Sequence, residues 1–187
     1  MQYATPQHWL HKANLLLAEA ERRYFGRDLN YEFIGVHLDA NGPNIRFTPD
    51  YSGISIELSP SAMQYPDQAL HQIAHEVIHL LAPVRNPPAN LLEEGLAVHF
   101  SIYGPEYSDP HYRNDARKWI ETRDDAKNFR DALHYFEELT GIEPDAISKL
   151  RAIEKDFFSM DANLIRSVNP LVSEDLAKRL CERRQMR

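Results

Sequence analysis

The chain has 187 residues, 43% of them hydrophobic, with a formal charge of −7 and no run of like charges. That is enough apolar material for one domain with a sizeable core, and the acidic balance excludes a broad phosphate-binding surface, so nucleic acid is not an expected partner. A single cysteine, Cys181, excludes an internal disulfide and any cysteine-based metal site, leaving histidine and carboxylate to hold a metal. No apolar run reaches the roughly 18 residues that span a bilayer, and Met1 to Pro6 do not read as a secretory leader. The expected setting is the cytoplasm, with no membrane partner.

Thr5-Pro6 reads as an N-cap followed by proline at the first helical position. Trp9, Ala13, Leu16, Leu17, Ala20 and Tyr24 then recur at helical spacing up to Gly26, a natural stop. His8 and His11 fall on the surface. From Tyr31 to Leu58 the signals change to strands. Phe33, Ile34, Val36 and Leu38 form the first; Ile45 and Phe47 form a second, after the turn-prone Asp39-Ala40-Asn41-Gly42-Pro43. Ile54, Ile56 and Leu58 alternate with Ser55, Glu57 and Ser59, the period of a half-buried strand with Glu57 exposed. Three strands in close succession predict a small, largely antiparallel sheet. The third either lies along a cleft and pairs with an extended peptide, or is a plain core strand.

Pro66-Asp67 opens a helix in which Ala69, Leu70, Ile73, Ala74, Val77, Ile78 and Leu81 form a wide buried face; Pro83 ends it. At about 100° per residue, Gln68, Gln72, His75, Glu76 and His79 share the narrow stripe that remains, with His71 beside it. His75-Glu76-Val77-Ile78-His79 reads His-Glu-x-x-His. Four apart, the two histidines point to one side of the helix and can both grip a zinc ion, and Glu76 can take the proton of a water there. Two imidazoles and a carboxylate in so apolar a helix would be costly to bury without a partner.

The rest is helical by period. Pro87-Pro88 mark a stiff connection, and Asn90 caps a helix that runs from Leu91 past Phe100 to Gly104-Pro105. Trp119, Ile120 and Arg123 follow Asp109-Pro110. Phe129, Leu133, Phe136 and Leu139 precede Gly141, and Ile147, Leu150, Ile153 and Phe157 follow Pro144. Ser173 caps a last helix with Leu176 and Leu180 inward. With no internal repeat and no linker, residues 1–187 read as a single domain.

A catalytic zinc usually takes three protein ligands and leaves a place for water. The metzincin pattern would need glycine at position 82 and histidine at position 85; Ala82 and Arg85 exclude it. The next candidate is Glu94, separated from His79 by fourteen residues, within Leu92-Glu93-Glu94-Gly95-Leu96-Ala97. Here the stretch from Ile54 to Ser101 resembles the gluzincin metallopeptidases, especially the Glu-Gly-aromatic-Ala segment of the M1 aminopeptidases. The resemblance implies that His75, His79 and Glu94 bind Zn2+ and that Glu76 is the general base. Glu93 is the rival ligand, or else a solvated acid near a helix N-terminus, where acids are stabilised. It also implies a Tyr or His that donates a hydrogen bond to the developing oxyanion. Tyr103, Tyr107, His111 and Tyr112 are the candidates, with His134 and Tyr135 further on, and the loop from Tyr107 to Tyr112 is expected to flank the cleft. His99, about 140° round the helix from Glu94, is not expected to be a ligand.

The implied fold is α+β and zincin-like: a short, mostly antiparallel sheet packed on the His-Glu-x-x-His helix, followed by a mainly helical C-terminal lobe. The implied activity is zinc-dependent hydrolysis of a peptide or protein substrate. The Gly-x-Met-Glu-Asn signature that anchors a substrate amino group in the M1 enzymes is absent, with Ile54-Ser55-Ile56-Glu57-Leu58-Ser59 in the comparable place. A compact endopeptidase, or a peptidase with one dedicated substrate, fits better than an aminopeptidase. Three alternatives stand beside it: a regulatory or interaction module on a metallopeptidase-like fold, a zinc hydrolase of a non-peptide bond, and a helical module with a chance motif.

Overall fold

The computed structural model describes residues 7–85 and 88–186. Helix α1 (Gln7–Tyr24) buries Trp9, Ala13, Leu16, Leu17 and Ala20, the face its spacing predicts. Gly26 adopts φ +77°, and its amide bonds the Glu21 carbonyl at 2.8 Å, the left-handed turn that stops the helix. His8 and His11 are exposed. The cap expected at Thr5-Pro6 and the first proline of Pro87-Pro88 lie outside the described residues.

Strands β1 (Glu32–Leu38), β2 (Asn44–Phe47) and β3 (Gly53–Leu58) form one sheet in the order β1-β3-β2. Strand β3 runs parallel to β1 and antiparallel to β2, so the sheet is mixed and the largely antiparallel expectation is corrected. The segment Asp39–Pro43 does not fold β2 back onto β1 but crosses the end of β3. The Asp39 amide bonds the Leu58 carbonyl at 2.9 Å. Gly42 lies so close to β3 that a Cβ there would sit 2.7 Å from the Leu58 carbonyl carbon. Among the described residues, only β2 and β3 close as a hairpin. As the middle strand, β3 is buried on both faces. Glu57 is therefore not the exposed residue its alternation suggests: its carboxylate accepts from Ser55 Oγ at 2.8 Å, with Arg46 Nε at 3.7 Å.

Helix α2 (Pro66–His79) packs against the sheet, α1 and α3 (Leu91–Tyr103), and α3 in turn packs against α5 (Lys127–Ile142). Helices α4 (Tyr112–Thr122), α6 (Ala146–Ile153), α7 (Ala162–Ser167) and α8 (Glu174–Leu180) complete the helical part. Helix α7 has no counterpart in the sequence reading, α5 continues through Gly141, and Phe157 sits in a separate 3-10 turn after α6. Two expected caps form: Asn90 Oδ1 accepts from the Glu93 amide at 3.0 Å and Ser173 Oγ from the Leu176 amide at 3.1 Å. The main core runs through residues from Trp9 to Leu180, and a smaller cluster of Val98, Ile102, Ile120 and Leu133 lies under another face of α3. The architecture is α+β. No described helix is long and apolar enough to cross a membrane.

Candidate metal centre

Helix α2 presents its polar stripe to α3. Ala69, Ile73, Ala74, Val77 and Ile78 are buried, which fixes the rotation of the helix and leaves His75, Glu76 and His79 on the side facing the next helix. Gln72, on the same stripe, ties α2 to the end of β3: its Oε1 accepts from the Ser59 amide at 3.0 Å and its Nε2 donates to Ser59 Oγ at 2.7 Å. Helix α3 starts at the Asn90 cap, so Glu93 and Glu94 lie in its first turn, where the helix dipole favours negative charge.

Across this helix pair three side chains converge. His75 Nε2 lies 3.3 Å from His79 Nε2, and Glu94 Oε2 lies 3.5 Å from His75 Nε2 and 3.9 Å from His79 Nε2. One ligand atom from each of the three fits within 4.8 Å of the others. Atoms bound tetrahedrally to zinc at about 2.0–2.2 Å are about 3.3–3.6 Å apart. Two of the three separations fall in that range and the His79–Glu94 one, at 3.9 Å, is longer, so a small closing of Glu94 on His79 would complete the spacing for a zinc-sized cation. Two imidazoles and a carboxylate are also a donor set that suits zinc. Glu94 Oε2 is buried without a hydrogen bond among the described residues, as a ligand oxygen aimed at a cation would be.

Glu93 is neither a member of the trio nor solvated. It is 2% exposed, and its Oε1 stands 2.7 Å from His79 Nδ1. With the proton on Nδ1, the imidazole donates to Glu93 and directs the Nε2 lone pair toward the trio, the usual outer support of a metal-binding histidine. Sequence alone could not reveal this, because the contact exists only once α2 and α3 cross.

The electrostatics favour positive charge here. Burial disfavours a charged His79, but the Glu94 charge and the Glu93 hydrogen bond, with Glu76 behind them, push its pKa up to about 10. Burial works against the Glu94 anion too, yet His79 and His75 hold its pKa below the ordinary value. Burial raises Glu76 and Glu93. Three carboxylates so enclosed call for cationic company.

The trio and Glu76 line a cleft of about 950 Å³. Its walls come from the start of β2, from α2 and α3, from α4 and Phe129, and from Arg184 to Met186. The expected oxyanion donors separate clearly. Tyr112 lines the cleft, and burial pushes its phenol up to about 12, so it stays a donor. Tyr107 points elsewhere: its hydroxyl donates to the Ser101 carbonyl and lies 3.2 Å from His71 Nδ1. Tyr103 packs on His99 with ring centres 4.7 Å apart, His111 is exposed, and neither lines the cleft. His134 bonds Glu121 at 2.9 Å and Tyr135 accepts from Arg179 at 2.9 Å, both away from the cleft lining. His99 is also held outside it, between Tyr103 and Phe136.

The loop that carries Tyr107 and leads into Tyr112 is anchored to α2. Asp67, in the first turn, accepts from the Ser108 amide at 2.9 Å and the Asp109 amide at 2.8 Å. Hydrogen bonds to a charged group stabilise by about 1.5–3 kcal/mol, and this site is partly solvated. Asp67→Ala is therefore expected to lower stability by about 1–2 kcal/mol and to speed proteolytic nicking between residues 104 and 111. Urea unfolding and limited digestion with chymotrypsin, which can cut after Tyr107, measure both. A variant as stable and as resistant as the parent would show that the loop does not depend on this anchor.

Compared with protein-family models, curated proteins and solved structures, the chain matches none.

Proposed function

We propose that the chain is a compact, zincin-like peptidase in which His75, His79 and Glu94 hold zinc and Glu76 is the general base. The observation that carries this reading is the convergence of the two Nε2 atoms and Glu94 Oε2, beside Glu76, inside one open cleft. Bound there, zinc supplies Lewis acidity that brings the pKa of a water from about 15.7 to about 7 and polarises a carbonyl. Glu76, 4% exposed and lining the cleft, takes the proton of the attacking water and passes it to the leaving amine. Tyr112 donates to the oxygen on which negative charge develops. Glu93 keeps His79 in the productive tautomer.

A peptide rather than another substrate is favoured by β2. Among the described residues this strand pairs only with β3, so its other edge is free, and its first residues, Asn44 and Ile45, line the cleft. An extended peptide can add to that edge by main-chain hydrogen bonds. The sequence leaves the strand before α2 either this role or that of a plain core strand. That strand is β3, whose edges are occupied by β1 and β2, so the role passes to β2.

The test is metal content by mass spectrometry beside cleavage of a mixed peptide library. About one zinc per chain is expected, lost in Glu94→Ala; Glu93→Ala should retain the site with zinc affinity weakened about 10–100-fold. No zinc in the wild type after zinc is supplied, or loss in Glu93→Ala but not in Glu94→Ala, overturns the ligand assignment. Zinc with no cleaved peptide overturns the peptidase assignment alone.

A further inference from the structure

Behind the trio lies a charge that the proposed chemistry does not use. Arg151, on α6, is the largest fully buried side chain, at 0% exposure. Its Nη2 donates to the Leu81 carbonyl at 3.3 Å, two residues beyond His79, where the end of α2 leaves carbonyls without helical partners. Its guanidinium also sits over the Phe157 ring, 4.9 Å from the ring centre. The Phe157 carbonyl accepts from Asn90 Nδ2 at 2.7 Å, and Asn90 caps the turn that holds Glu93. Arg151 therefore joins the end of α2 to the start of α3, the two segments whose side chains meet in the His79–Glu93 pair.

Unsatisfied atoms of opposite charge lie on both sides, although no ion pair within 4.0 Å joins Arg151 to Glu93. Arg151 Nε and Nη1 and Glu93 Oε2 are all buried without a hydrogen-bond partner among the described residues. Of the opposite charges acting on the guanidinium, Glu93 is the strongest and Asp156 the next. Charge accounting points the same way. Histidines that bind a metal are neutral, so a divalent ion alone leaves one negative charge among the three buried carboxylates Glu76, Glu93 and Glu94. Arg151 supplies the remaining positive charge.

We infer that Arg151 is a positioning residue of the metal centre: its buried guanidinium neutralises Glu93 and so holds the His79–Glu93 pair in place. This rests on the zinc reading above. It assigns Arg151 no contact with substrate or metal.

The experiment measures the zinc dissociation constant of the purified chain by competition with a chelator of known affinity. The proteins are wild type, Arg151→Met, Arg151→Lys, Glu93→Gln and the double variant Arg151→Met/Glu93→Gln. Glutamine keeps a hydrogen-bond acceptor for His79 and removes only the charge. Arg151→Met and Glu93→Gln should each weaken zinc binding about 10–100-fold. The double variant should be no weaker than the worse single one, since an uncharged Glu93 position leaves nothing to neutralise, and Arg151→Lys should recover part of the loss. A purely structural arginine gives independent effects that multiply in the double variant, and that result overturns the inference. So does an Arg151→Met protein that binds zinc within twofold of wild type. If Arg151→Met does not fold, restored folding and zinc binding in the double variant support the inference, because both buried charges are then gone; failure of both the double and the lysine variants to bind overturns it. A wild type that binds no zinc sinks the metal reading and this inference with it, whereas tight zinc binding indifferent to Arg151 sinks only the latter.

Discussion

With Glu76 as the proposed general base, Glu76→Gln is expected to lower peptide hydrolysis by about 10²–10⁴-fold and to leave zinc content equal to that of the parent. The substitution keeps the shape of the side chain and removes only its ability to accept a proton as a base. Folding should not suffer. Glu76 is buried beside Glu93 and Glu94, and burial already raises its pKa, so its charge is held at a cost that a neutral amide does not carry. The melting temperature is therefore expected to equal or exceed that of the parent. That sign matters, because falling activity with unchanged or rising stability separates lost chemistry from lost structure. The loss should appear in kcat, with KM little changed, as an interaction made only in the transition state requires. Activity within about threefold of the parent, far short of the 10²-fold expected of a general base, would remove Glu76 from that role.

How much of this was legible in the sequence follows from which forces are local. The stripe of His75, Glu76 and His79 was, because an apolar helix must turn its few polar residues one way, and Glu94 follows at the start of a helix that Asn90 caps visibly. The pairing order of the sheet was not. Alternation shows which faces of a strand are apolar, but not which strand is its neighbour; that was decided by the crossing of Asp39–Pro43 over β3, with Gly42 against the β3 backbone. Glu57 was misplaced for the same reason, since a middle strand buries its polar face as well. Trp119, legible only as part of a helical stretch, is 47% exposed and lines the cleft.

Arg151 was missed through helix phase. The reading through Ile147, Leu150 and Ile153 turns Arg151 outward, whereas α6 buries Ala146, Ile147, Leu150 and Arg151 and leaves Ile153 68% exposed. Both phases share Ile147 and Leu150, and hydrophobicity favours the wrong one. The buried arginine donates to the Leu81 carbonyl beyond the end of α2 and stacks on Phe157, and no periodicity within α6 carries that information.

Gly95 was read as part of a motif, and its physical reason now predicts a large effect on folding. Helices α3 and α5 approach so closely at this point that a Cβ on residue 95 would lie 2.3 Å from the Ala132 carbonyl oxygen and 2.6 Å from the Phe136 Cβ. Those atoms belong to the frame of α5 and cannot swing aside as a side-chain tip would. Two effects oppose each other in Gly95→Ala. Alanine is intrinsically better than glycine inside a helix by about 1 kcal/mol, while overpacking a fitted contact costs about 1–3 kcal/mol and occasionally more. With main-chain atoms on the far side the second wins at the upper part of its range, and a net loss of about 1–2 kcal/mol is expected. At about 2–4 °C per kcal/mol for a chain of this size, the melting temperature should fall by about 2–8 °C. Zinc affinity should fall with it, since any shift of α3 against α5 displaces the neighbouring Glu94 from its fitted place beside His75 and His79. A Gly95→Ala protein at least as stable as its parent would mean that propensity alone is acting, and the close crossing of α3 and α5 would have to be abandoned. The glycine beside Glu94 is thus a spacing device: it lets α3 lie flat on α5 while its other side meets α2.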